Sequence, residues 1–152
     1  MKLRFATLEE LFCYVEAITL DSHDPKKSWS VAQNLFHLAG AFEGSMTGMS
    51  PGYPAIIRFF IRPMRWIVTR YRFPPMLPIP SSAKQELTPP ADANFEEQKI
   101  RLLGAIRQFE QFAEEHPAHP VLGQLTRAEW IGFHLRHCEH HLAFLETRTG
   151  KL

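Results

Sequence analysis

Apolar residues recur along this chain at helical spacing. In TLEELFCYVEAITL, Leu8, Leu11, Phe12, Val15 and Ile18 share one face of a 3.6-residue period. Thr7 precedes that run and Glu10 follows three residues later, the two halves of a capping box, so a helix is expected over 8–20. SWSVAQNLFHLAGAF repeats the arrangement. Ser28 or Ser30 can cap it, Gln33 stands three after Ser30, and Val31, Leu35, Leu38 and Phe42 form its stripe. Gly44, Gly48 and Pro51 follow, which gives a second helix over 30–44. Asn94 with Glu97 opens a third over 94–115, with Ile100, Leu103, Ile106, Phe109 and Ala113 facing inward and His116-Pro117 stopping it. Thr126 with Glu129 opens a fourth over 127–147. LDSHDPKK reads as a loop and HPAHPVLGQL as a connector.

Between the second and third helices the pattern changes. PAIIRFFI and PMRWIVTRYRF each begin with a proline suited to the first helical position, and two short helices are expected. FPPMLPIPSSAKQELTPP then carries Pro74, Pro75, Pro78, Pro80, Pro89 and Pro90, a density that favours an extended loop. No repeat and no strand pattern emerges. The expected fold is all-α: one domain over 1–152, a four-helix bundle with an elaborated crossover of two short helices and a Pro-rich loop.

A chain of 152 residues, 45% hydrophobic and 22% charged, suits one globular domain with a proper core. Its net charge of +1 gives no general pull toward nucleic acid or membrane, and neither partner is expected. Two cysteines, Cys13 and Cys138, are too few for a disulfide framework, so a reducing, cytoplasmic setting is expected, with both as small buried hydrophobes. MKLRFATLEELF lacks the long apolar stretch of a signal peptide, and no apolar run approaches the roughly 18 residues that cross a bilayer. Without a Gly-rich phosphate loop, GxSxG, CxxC or HExxH, hydride, phosphoryl and serine-hydrolase chemistry have no support.

The chemistry gathers in FHLRHCEHHLAFL, which holds His134, His137, His140 and His141, four of the eight histidines. With His137 set at zero on a helical wheel, His141 falls at about 40°, Trp130 at about 20° and Phe133 at about −40°. His137 and His141 therefore lie within the apolar stripe. A buried imidazole needs partners for its nitrogens. Residues one turn apart bring their side chains to about 5–6 Å, which two Zn–N bonds can bridge. Core packing with side-chain or water partners is the plainer alternative. A third ligand would come from another helix, and His37 in NLFHLAG is the candidate. It lies roughly 130° from its helix's apolar stripe, among Ser30, Gln33, Asn34, Ala41 and Gly44. That position suits either a surface histidine or a polar cleft between helices.

WSVAQNLFHLAGAFEGSM, followed by HPVLGQL, the pair Glu129-Trp130 and HCEHH, resembles the DinB/YfiT-like superfamily of metalloenzymes, in particular a branch of unknown function. The resemblance implies a four-helix bundle with a three-histidine metal site, whose ligands by position would be His37, His137 and His141. It also implies thiol chemistry, since relatives include thiol S-transferases and a thiol-dependent isomerase. Relatives often carry Gln where this chain has Phe144, a departure that bears on substrate chemistry. His134, His140 and Glu139 do not match ligand positions. They are expected beside the ligands, His140 orienting one through a carboxylate such as Glu139, with a polar flank as the plainer alternative.

Arg58, Arg62, Arg65, Arg70 and Arg72 interleave with Phe59, Phe60, Trp66, Tyr71 and Phe73. From Gly44 to Gln85 there are six basic residues and no acidic one, leaving 11 basic against 16 acidic elsewhere. Such mixtures bind single strands, anionic lipid or an anionic small molecule, or simply rim a packed helix pair. The packed, arginine-rimmed pair is the plainer alternative; among the functional readings the preferred expectation is that Arg58, Arg62, Arg65 and Arg70 serve a small acidic substrate. Together these readings predict a metal-dependent enzyme with zinc, nickel or iron. It would activate a low-molecular-weight thiol or water for S-transfer or hydrolysis, with a homodimer as a further expectation. The competing class is a non-catalytic bundle that dimerises or binds a partner, its metal site structural or vestigial.

Overall fold

Each long helix starts at the residue the sequence marks as its cap. In the computed structural model, which describes residues 3–20, 29–49, 54–72 and 88–143, Thr7 Oγ1 accepts from the Glu10 amide at 3.1 Å and opens α1, Leu8–Ala17. Ser30 and Gln33 form both halves of a capping box ahead of α2, Val31–Thr47. Two short helices follow, α3 over Ala55–Ile61 and α4 over Arg65–Arg70, joined by a 3-10 turn at Arg62–Met64. Asn94 Oδ1 accepts from the Glu97 amide and opens α5, Phe95–Gln111. Thr126 and Glu129 box the start of α6, Arg127–Leu142.

The helix ends depart from expectation. α1 stops at Ala17 instead of 20, because Ile18 turns extended. α2 continues past Gly44 to Thr47 and ends at Gly48, whose φ of 94° is open to glycine and strained for other residues. Gly44 lies inside it at a cost of only about 1 kcal/mol, and the Met49 side chain packs where a Cβ would be. α5 stops at Gln111 instead of 115: the Arg127 guanidinium donates to the carbonyls of Phe109, Glu110 and Phe112 and takes over the helix's open acceptors. Pro54 caps α3, whereas Pro63 lies inside the 3-10 turn and does not open α4. The expected helix over 144–147 and most of the Pro-rich loop, 73–87, lie outside the described residues.

The chain is all-helical, with no strand among the described residues and a β-bridge between His119 and Gly123. α2 packs along α5 and against α6, α1 meets both α5 and α6, and α4 lies on α6. Leu11, Val15, Ile18, Leu35, Leu38, Phe42, Leu102, Ile106, Phe109 and Trp130 form the centre of the core. The inward face of α5 is Phe95, Gln98, Leu102, Ala105, Ile106 and Phe109, while Ile100 and Ala113 are exposed. A strict three-residue ladder such as 100-103-106-109 drifts by about 60° per step and cannot hold one face. Cys13 is likewise exposed, not buried.

α4 approaches α6 at Gly132, where a Cβ would collide with the Thr69 carbonyl oxygen. The segment before α1 is clamped to α6 by a buried ion pair. Arg136 and Glu139 stand 2.7 Å apart, Glu139 accepts from the Phe5 amide at 2.7 Å, and Arg136 donates to the Phe5 carbonyl. Arg4 adds a bond to Glu139 and reaches the carbonyls of Arg70 and Tyr71, tying α4 to the same corner.

Candidate metal centre

α2 is covered on two faces because it runs between α5 and α6. One face is the expected Leu35–Leu38–Phe42 stripe. The other carries Asn34, His37 and Ala41, all buried, and it meets α6. His37, which the wheel left between surface and cleft, is 3% exposed, and His137 is 6% exposed. His141 is half-buried one turn beyond. The Nε2 atoms of His37 and His137 are 3.2 Å apart. The His141 ring centre lies 4.6 Å from that of His37 and 4.8 Å from that of His137. Each of the three offers one ring nitrogen, and these nitrogens all lie within 4.8 Å of one another, so the cluster could hold a metal ion.

The surroundings orient these rings. Asn34 Nδ2 donates to the Ser30 carbonyl at 2.9 Å and toward that of Trp29 at 3.4 Å. Its Oδ1 is thereby left to face His141 Nδ1, 3.1 Å away. A side-chain amide oxygen only accepts, so His141 Nδ1 carries the proton and Nε2 keeps the lone pair a metal needs. Trp29 stacks on His141 with its ring centre 6.1 Å away and lies 5.2 Å from His37, while Phe133 is 5.5 Å from His137. Burial first, and then the neighbouring His141 and His37, hold the His137 pKa well below the usual histidine range. That favours the neutral form, the one that binds metal.

A family model described as Protein of unknown function (DUF1569) matches residues 1–148. The chain belongs to the DUF1569 family. The matched span takes in all three histidines and every described helix. Searches of curated proteins and of solved structures returned no match.

The other singled-out residues of this DUF1569 chain have different surroundings. His134 is buried in the core, stacked on Phe42 at 3.9 Å, with Nε2 3.0 Å from Ser45 Oγ. Burial and the nearby His119 and His116 push its pKa down. Glu139 takes part in the Phe5 clamp, bonded to Arg136, Arg4 and the Phe5 amide. His140 meets the His141 ring edge-on at 5.2 Å. Cys138 is fully buried, and burial raises its pKa so that the thiol stays protonated.

The four arginines spread out. Arg65 pairs with Glu129 at 3.2 Å, and Arg62 lies against Gly123, where the absence of a Cβ leaves room for the guanidinium. Arg70 stands over the Trp66 ring at 5.8 Å. Arg58 is half-buried, with its Nε enclosed and making no hydrogen bond. Glu129 and Gly132, where α4 meets α6, lie about 80° and 140° around α6 from His137, so α4 runs along a different flank of α6 from the triad. A cleft of about 740 Å³ between the end of α5 and the start of α6 is lined by Arg65, Glu110, His116, Arg127 and Glu129. It too is remote from the triad, since Glu129 is about 12 Å along α6 from His137. Sequence reasoning did not single out Asn34 and Trp29 for roles. Asn34 stood on the polar face of His37, one signal that could have found it, whereas Trp29 sits before the cap and carries no periodicity.

Proposed function

We propose that His37, His137 and His141 hold a divalent metal ion, zinc or nickel in the first instance and iron as a third candidate. The observation that carries this is the 3.2 Å between the Nε2 atoms of His37 and His137. Two imidazoles on a tetrahedral zinc, each at about 2.0–2.1 Å, stand ~3.3 Å apart. Three protein ligands leave a fourth position for water or substrate. The half-buried His141 and Trp29 mark the side from which it is reached.

On the same HPVLGQL, Glu129-Trp130 and HCEHH residues, we place this family in the DinB/YfiT-like superfamily and read its long helices as a four-helix bundle with an elaborated crossover. A divalent metal would supply Lewis acidity that draws the pKa of water or a thiol toward neutrality. The chain's own part is to hold the rings neutral, to fix His141 through Asn34 and to wall the site with Trp29 and Phe133. The activity we assign is S-transfer or hydrolysis on a small anionic substrate in the cytoplasm, with a low-molecular-weight thiol as partner. A second reading, a non-catalytic partner-binding or dimerising bundle with a structural metal, is favoured by the exposed aromatic residues of α3 and α4.

The test is metal analysis of protein purified without a nickel column, with melting followed at added zinc or nickel. Binding only to the folded state stabilises it by about 2.7 kcal/mol at a hundredfold excess over Kd. Wild type gains that shift and chelator removes it, while His37→Ala and His137→Ala show little of either. A hydrogen bond between two neutral imidazoles spans the same 3.2 Å and would leave wild type indifferent to every divalent metal. Such indifference, or a full shift in His37→Ala, overturns the assignment. A screen with low-molecular-weight thiols and electrophiles then separates an enzyme from a binding module.

A further inference from the structure

Of the nine large apolar residues exposed among the described residues, seven lie in α3, α4 and the residue after: Ile56, Ile57, Phe59, Phe60, Trp66, Ile67 and Tyr71. Scattered apolar residues need no explanation, but a contiguous set does. Ile56, Phe59 and Phe60 share a face of α3 at helical spacing, and Trp66 and Ile67 are exposed on α4 just beyond the 3-10 turn. Phe60 is 72% exposed, Phe59 68% and Trp66 50%. The opposite side supplies Ile61, Met64 and Val68 to the core. The segment is therefore apolar on both sides and gives the core only one. It is also fixed in that orientation, by Thr69 against Gly132, by Arg65 on Glu129 and by Arg4 on the Arg70 carbonyl.

Charge narrows what can cover this face. Arg58, Arg62, Arg65, Arg70 and Arg72 lie in the same stretch, with no acidic residue from Gly44 to Gln85. A second copy docked by a two-fold axis would set these arginines against each other. A single-stranded nucleic acid would use the aromatic rings, but Ile56, Ile57 and Ile67 have no π-face to offer a base. Acyl chains accept both kinds of side chain. Trp and Tyr suit the level of the headgroups, and arginine stems lie along apolar surface with the guanidinium reaching anionic phosphates. We propose that the α3–α4 face docks the protein on an anionic membrane surface. The contact is peripheral, since no described helix is long and apolar enough to cross a bilayer. The net charge of +1 averages this local charge away.

The experiment is co-sedimentation of the full chain with vesicles of phosphatidylcholine alone and with phosphatidylserine added, read with Trp66 fluorescence in a variant whose other two tryptophans are Phe. Expected are binding to the phosphatidylserine vesicles, a blue shift of Trp66, and weakening by salt. Arg62→Gln and Arg70→Gln each lower the partition coefficient about fivefold, and Phe59→Ser with Phe60→Ser abolishes binding. These side chains are exposed, so the circular dichroism spectrum stays that of wild type. Equal binding to neutral vesicles, or none to either, overturns the proposal. So does tight binding of a single-stranded oligonucleotide without vesicle binding, or a dimer that Phe60→Ser dissociates.

Discussion

Asn34 Oδ1 lies 3.1 Å from His141 Nδ1, across the interface between α2 and α6. That bond sets which nitrogen of His141 is turned toward His37 and His137. Loss of such an outer partner typically weakens metal affinity 10–100-fold, a range of about 1.4–2.8 kcal/mol. Asn34→Ala is expected to raise the zinc Kd by that factor in a competition titration while leaving the helical spectrum intact. An unchanged Kd would show that His141 needs no such support.

Glu139 lies within two residues of both His137 and His141, but its carboxylate is bonded to Arg136 and Phe5. Glu139→Ala leaves the Arg136 guanidinium buried without its counter-charge, at a cost of about 3–5 kcal/mol. Urea unfolding should record that loss, while the zinc-induced rise in melting temperature keeps its wild-type size. A variant of normal stability that no longer responds to zinc would instead make Glu139 an orienting partner of the histidines.

Acid should destabilise the fold through histidines outside the triad. His119 Nδ1 accepts from the Val121 and Leu122 amides, and burial lowers its pKa from 6.5 to about 3. Between those values the unfolded chain binds a proton that the folded chain does not, so stability falls as pH falls. Each such group contributes a slope of up to about 1.4 kcal/mol per pH unit. Urea midpoints from pH 7 to 4 should decline, and His119→Gln should flatten the decline.

Gly132→Ala places a methyl group against the Thr69 carbonyl. α4 must move away from α6, at a cost of about 1–3 kcal/mol. Thermal melting of this variant should show the loss. A melting temperature equal to wild type would mean that α4 is free to shift.

The helix starts were legible because caps are local: Thr7, Ser30, Asn94 and Thr126 each need only a partner three residues on. The ends were less so. Nothing within residues 94–115 announces that Arg127, 15 residues past Phe112, will take the last carbonyls of α5. The inward turn of His137 followed from one periodic stripe, whereas the burial of His37 depended on a second neighbour for α2, which a wheel for one stripe does not contain. His37 stood as a candidate third ligand in the sequence, a role the resemblance also implied, and the packing of α2 on α6 brings it to His137. The arginines of the middle segment could be counted but not aimed, because their directions depend on how α4 sits on Gly132 and on whether Glu129 is within reach.

The clamp on Phe5 joins residues 134 apart, and the His37–His137 contact spans 100. Contacts between such distant residues demand the largest loop closure and reward it last, which slows folding. The triad is therefore expected to form at the final stage of assembly, when α6 has found α2 and the leading segment has latched onto α6. A metal ion added during refolding would meet no triad in a chain whose helices are made but not yet joined. Metal uptake by the proposed site would then mark arrival at the native state, and its time course should lag behind the recovery of helix.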